Sequence, residues 1–156
     1  YTTWLFGWPK LVNADLRNLG QLGIEAEETA DLGWETLSGG SVSVRLDYLS
    51  RPPIRFVKAL GALGTLTWNG VNSLVYLDIG DADKASATAV QSRDDMFKAQ
   101  GQAFLEAIQG VADERLATGE DGFKALAVCD AARTASSSGR PKEIQYLQPN
   151  LLNWAN

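Results

Sequence analysis

Between Lys10 and Ile79 apolar and polar positions alternate with a period of two, in short runs separated by turn residues, as half-buried strands do. The pattern predicts strands over Lys10 to Leu19, Glu28 to Leu37, Ser41 to Leu49, Ile54 to Leu60, Thr65 to Trp68 and Ser73 to Ile79. The third is the clearest, with Val42, Val44, Leu46 and Tyr48 on one face and Ser43, Arg45 and Asp47 on the other. Ser38-Gly39-Gly40 and Gly61 to Gly64 supply hairpin turns. Gly80 to Gln91 is small and polar and reads as a solvated connector. The period then lengthens to that of a helix. Ser92 is the predicted N-cap, and Asp94 and Asp95 in the first turn suit the helix dipole better than a catalytic pair. Met96, Gln100, Ala103, Phe104, Ala107 and Ile108 follow at helical spacing. Thr118-Gly119-Glu120-Asp121 opens a second helix in the manner of a capping box, with Phe123, Leu126, Ala127 and Ala131 expected on its apolar side and Ser136 to Pro141 ending it. A short strand is expected at Glu143 to Leu147.

Strands first and helices second, with hairpin-length connections, predict an α+β fold: an open, predominantly antiparallel β-sheet with helices packed on one face. The other face is expected to meet solvent or a partner, because Trp34 and Trp68 leave large side chains for both faces. Tyr1 to Gly7 reads as the last turns of a helix stopped by Gly7 and Pro9. Two turns are marginal alone, so Tyr1 is expected to be a cut rather than a natural beginning.

Composition narrows the chemistry. The 156 residues suit one ordinary domain, and 45% hydrophobic content suffices for a core. No run approaches a membrane span or a signal peptide, so the expected location is the cytoplasm, with no membrane partner. The lone Cys129 excludes an internal disulfide, and its neighbours Ala127 and Val128 make it an expected small buried residue. A net charge of -5 with scattered basic residues argues against nucleic acid. Histidine is absent, which removes serine-histidine and cysteine-histidine catalysis and most zinc sites.

Several stretches together resemble the C-terminal domain of the glucose-fructose oxidoreductase, inositol dehydrogenase and rhizopine-catabolism family, Gfo/Idh/MocA. They are Tyr1 to Pro9, Glu28-Thr29-Ala30, the glycine hairpin, and Val44 to Pro53 with its Asp47-Tyr48-Leu49-Ser50-Arg51-Pro52-Pro53 exit. Leu63-Gly64-Thr65-Leu66-Thr67-Trp68, Arg93 to Phe97 with Phe104 and Ile108, Glu120 to Leu126, and Ser138-Gly139-Arg140 continue the similarity. The resemblance covers residues 1–147, leaving 148–156 as a C-terminal tail. It implies a Rossmann domain preceding this one, NAD or NADP for the full-length family member, and hydride transfer involving a sugar, cyclitol or related alcohol. The chain has no Gly-x-Gly-x-x-Gly fingerprint, no Glu-Lys-Pro segment and no Asp-x-x-x-His segment, so no family catalytic residue transfers onto it. It is expected to bind no cofactor and to be inactive alone.

The expected contribution is therefore a substrate-side wall and homo-oligomerisation through the open sheet face. The alternative is a free-standing protein-interaction module that kept the fold without dehydrogenase activity. Arg45, Asp47 and Arg51, beside Arg55, form the main polar constellation: a substrate or interface clamp, or a solvated face with ordinary cross-strand pairs. Tyr48 and Trp68 are core or interface aromatics, or platforms for a sugar ring. No residue is assigned to catalysis, cofactor or metal.

Overall fold

The computed structural model describes residues 1–80, 83–88 and 92–146. The elements run α1 (Thr2–Phe6), β1 (Leu11–Arg17), β2 (Thr29–Glu35), β3 (Ser41–Asp47), β4 (Phe56–Gly61), β5 (Gly64–Asn69), β6 (Leu74–Ile79), β7 (Asp83–Thr88), α2 (Arg93–Ile108), α3 (Gly119–Ser138) and β8 (Lys142–Glu143). The α+β expectation holds, with the strands divided between two antiparallel four-stranded sheets. The chain forms two compact units, Tyr1–Leu49 with Ala117–Asn156, and Ser50–Leu116.

The first unit carries the sheet β3-β2-β1-β8. Its register puts Val12, Ala14 and Leu16 of β1 beside Ala30, Leu32 and Trp34 of β2, and these beside Val42, Val44 and Leu46 of β3. The helix α3 lies over this apolar face. Val12, Val128, Ala131 and Ile144 form its core, with Trp8, Leu32, Ala127 and Tyr146 packed around them. Burying a side chain such as Val12 or Ile144 contributes roughly 1.5–3 kcal/mol. Polar ties fix the helix in place: the Leu16 amide donates to Ser136 Oγ at 2.9 Å, and the Arg133 guanidinium pairs with Glu27 at 3.0 Å. At the other end the Tyr146 hydroxyl donates to the Pro9 carbonyl.

The expected apolar side of α3 holds at Ala127 and Ala131, which meet the core, and is corrected at Phe123 and Leu126. Val128, Ala131, Ala132 and Ala135 are buried, whereas Leu126 is 65% exposed and Phe123 40%. Small side chains let the helix approach the sheet closely, and the bulky pair turns outward. Cys129, one position along from Val128, is exposed rather than buried because one residue rotates the side chain about 100° around the helix.

The second unit carries the sheet β4-β5-β6-β7. Pairing places Val57 and Ala59 of β4, Leu66 and Trp68 of β5, Val75 and Leu77 of β6, and Ala85 and Ala87 of β7 on one face. The opposite face holds Lys58, Thr65, Thr67, Tyr76, Asp78 and Ser86 among others. The hairpin at Gly61 to Gly64 forms as expected, and Gly64 is required there: an added Cβ would collide with the backbone carbonyl of Asp78. The expected connector at Gly80 to Gln91 instead contains β7, an edge strand paired along β6. Its Asp-Lys-Ala-Ser-Ala-Thr sequence has weak strand propensity, which pairing overrides. The remaining connector residues 81, 82 and 89–91, and Leu147 with the tail 148–156, lie outside the described residues.

Both predicted caps form. Ser92 and Asp95 close one capping box and Thr118 and Asp121 the other. The chain reverses after α3 at Gly139, whose φ of 64° is left-handed. The expected strand at Glu143 to Leu147 is corrected: β8 covers only Lys142–Glu143, and residues 144–146 belong to no strand.

Candidate functional site

The candidate residues fall in both units. Arg45, Asp47 and Tyr48 belong to the first, on β3 or just past it, and Arg51, Arg55 and Trp68 belong to the second.

On the outer face of the first sheet, Arg45 pairs across the strands with Asp31 at 2.7 Å, and Arg17 pairs with Asp15 along β1. The Arg17 guanidinium lowers the Asp15 carboxyl below its ordinary value. Asp47 accepts from the Leu49 amide at 2.8 Å, which turns the chain as β3 ends. Alternating charges in cross-strand rows give a hydrated face whose arginines already meet carboxylates. Tyr48 projects its ring outward, 64% exposed, while its amide donates to the Glu28 carbonyl at 3.0 Å.

In the second unit the Arg51 guanidinium donates to the Ser50 carbonyl at 2.9 Å. Arg55 and Trp68 come together: the guanidinium carbon lies 5.4 Å from the indole centroid. Gly70 completes this stack, since its amide donates to the Arg55 carbonyl at 2.7 Å and a Cβ there would lie 2.6 Å from the Trp68 ring. An arginine-backed tryptophan on an apolar sheet face has the composition of a protein-interface anchor. Beside the hairpin lies an open depression of about 420 Å³, lined by Ala59, Gly61, Leu63, Leu66, Leu77 and Ile79 among others. No polar side chain lines it, so it lacks the hydrogen-bonding groups that orient a polyol.

One residue with no assigned role at the level of sequence stands out. Glu28 is wholly buried, yet its carboxylate accepts from the Leu19 amide at 2.8 Å and the Leu22 amide at 2.6 Å. Burial pushes its pKa upward, but the amides of Leu22, Gln21, Leu19 and Gly20 together outweigh that and hold it below the ordinary glutamate value. The available signal was a glutamate opening a strand directly after the Asn18-Leu19-Gly20-Gln21-Leu22-Gly23 turn cluster. Among the described residues no group of three or more histidine, cysteine, aspartate or glutamate side chains is placed to hold a metal ion. Chemically, the described surfaces can pair, stack and exclude water.

No protein-family model matches the sequence, and no curated protein does. Solved structures match instead. The aldose-aldose oxidoreductase from Caulobacter crescentus, complexed with glycerol, superposes with a TM-score of 0.76 at 21% identity, over 92% of this chain and 44% of that one. Levoglucosan dehydrogenase, in complex with NADH and levoglucosan, gives a TM-score of 0.79 at 12% identity, over 94% and 47%. An NAD binding oxidoreductase from Klebsiella pneumoniae gives 0.77 at 15% identity, over 92% and 47%. The chain has the fold of part of a Gfo/Idh/MocA-type oxidoreductase. It spans less than half the length of each of these three proteins. The oxidoreductase fold accounts for the order of elements that the resemblance implied. At these identities it carries no residue roles across. Among the described residues no helix is long and apolar enough to cross a membrane.

Proposed function

We propose that the chain is the substrate-side and oligomerisation part of an NAD(P)-dependent oxidoreductase acting on a sugar, cyclitol or related alcohol, and is not catalytic alone. One observation carries this reading: more than nine-tenths of the chain superposes on less than half of enzymes whose names include NADH, aldose and levoglucosan. The residue inventory supports it, since the sequence holds neither an imidazole nor a glycine-rich dinucleotide turn. We assign it to the cytoplasm, where an exposed unpaired thiol such as Cys129 persists. Calorimetric titration with NAD(H) and NADP(H) tests the reading: no binding is expected at micromolar concentrations, and micromolar affinity would overturn it.

We assign oligomerisation to the apolar face of β4-β5-β6-β7, with a second copy of the chain as its occupant. Six-residue strands in a four-stranded sheet make a patch of about 20 Å by 20 Å, at the upper end of what monomers leave uncovered. The patch presents only apolar side chains at its centre, so its complement must be equally apolar, and the same face on another copy meets that need. Two such sheets can stack about 10 Å apart. Light scattering after size exclusion is expected to show a dimer or larger assembly, and a monomer at all accessible concentrations would remove the assignment.

The same face favours the second reading, a free-standing interaction module. The coding DNA upstream of Tyr1 separates the two, because an open frame encoding a nucleotide-binding half supports the first and its absence the second.

A further inference from the structure

The loop of residues 18–27, between β1 and β2, has no apolar core to order it. Leu19, Leu22 and Ile24 are 51%, 43% and 41% exposed, so none of them is buried in a core. Polar groups order it instead. The Asn18 amide group donates to the carbonyls of Ile24 at 2.7 Å and Ala26 at 3.0 Å, while its oxygen accepts from the Gly20 amide at 2.8 Å. The ends are pinned together by the Glu28 amide donating to the Arg17 carbonyl at 2.8 Å. Inside the turn the buried Glu28 carboxylate gathers the Leu19 and Leu22 amides.

We propose that Glu28 is a latch: its buried carboxylate, rather than side-chain packing, holds loop 18–27 shut as one unit that can open while the strands stay paired. A buried anion is costly unless donors surround it, and the donors here are the loop's own amides, so charge and loop order are mutually dependent. The latched loop keeps Leu19, Leu22 and Ile24 facing solvent in fixed positions, the arrangement of compact loops that present a surface.

The charged groups on the surrounding elements have other engagements. Arg17 of β1 turns to Asp15 on the outer sheet face, and Glu27 pairs with Arg133 of α3. Asp47 of β3 accepts from Leu49. Glu27 also has a lowered pKa, through its backbone hydrogen bond and Arg133, so acid would discharge it in the same range.

The test is amide exchange followed by NMR on the full chain. In Glu28→Gln an NH₂ group confronts amide donors, and protection at Leu19 and Leu22 is expected to fall at least tenfold while Leu32 and Val44 in the sheet keep theirs. Unchanged protection at Leu19 and Leu22 in folded Glu28→Gln overturns the proposal. Should that variant fail to fold, the native chain is titrated with acid alongside Glu27→Gln. Loop amide signals that move before the sheet signals in both proteins support the latch. Loop and sheet changing together, or an early loop change abolished by Glu27→Gln, overturns it.

Discussion

The two sheets have the same number of strands and the same antiparallel pairing, yet they solve the problem of an apolar face in opposite ways. In the first, α3 packs on the face over β1 and β8, and every buried core side chain among the described residues belongs to that unit. In the second, no described residue of 50–116 is buried, although one sheet face is apolar at its centre. The helix α2 does not change this, since Met96, Phe104 and Ile108 along it are themselves exposed. A sheet stabilised mainly by backbone pairing, with its apolar side only half-buried, is a sheet that can take a further cover. The lesson is that strand pattern alone does not tell a core from an interface; the partner element does.

The sharpest way to break this contrast is a pair of tryptophan substitutions. Trp34 is buried on the inner face of the first sheet with 6% exposure, so Trp34→Ala should cost about 3–5 kcal/mol in denaturant unfolding. Trp68→Ala, on the half-buried face, should cost less, about 1.5–3 kcal/mol in the monomer. Equal costs would erase the distinction. Next in size, Leu66→Glu places a charge at the centre of the bare face and should weaken self-association by at least about 100-fold, read by sedimentation. An unchanged assembly would move the interface elsewhere.

Smaller effects come from ionisation. With no histidine in the chain, the thermal midpoint should shift by less than about 2 °C between pH 6 and 8. Acid acts differently. The Arg115 side chain and amide hold the Asp113 carboxyl down at about 2, and Asp95 and Asp121 lie below the ordinary value through their cap serine and threonine. Carboxyls with folded values below their unfolded ones stabilise the protein above about pH 4.5, and that contribution disappears as pH falls through the folded values towards 2. A midpoint that rises on acidification would contradict these pairings. Smallest of all, Arg45→Ala removes an exposed pair and should change stability by about 0.5 kcal/mol or less.

Legibility in the sequence followed the same division. The strand β3 was readable because valine and leucine alternate with serine, arginine and aspartate, and one face really is wet. The two helix starts were readable because Ser92 and Thr118 precede an aspartate by three residues, which is local chemistry. The inward side of α3 was legible only in part: Ala127 and Ala131 do face the core, but hydrophobicity also points to Phe123 and Leu126, which face outward. β7 escaped notice since pairing with β6, rather than its own residues, makes it a strand. Of the candidate site, the meeting of Arg55 with Trp68 is a contact that the structure assembles from sequence-distant candidates. Glu28 was invisible as a functional group because its partners are backbone amides, which every sequence has.

The first unit is written in two pieces, with the second unit lying between them in the chain. Leu16 must find Ser136, 120 positions further along the chain, before α3 can pack on the sheet. During synthesis the ribosome therefore releases the whole second sheet before the buried core of the first unit can close. Long-range closure of this kind is slow. For that interval the nascent chain carries two uncovered apolar sheets, and its greatest hazard is sticking to its neighbours.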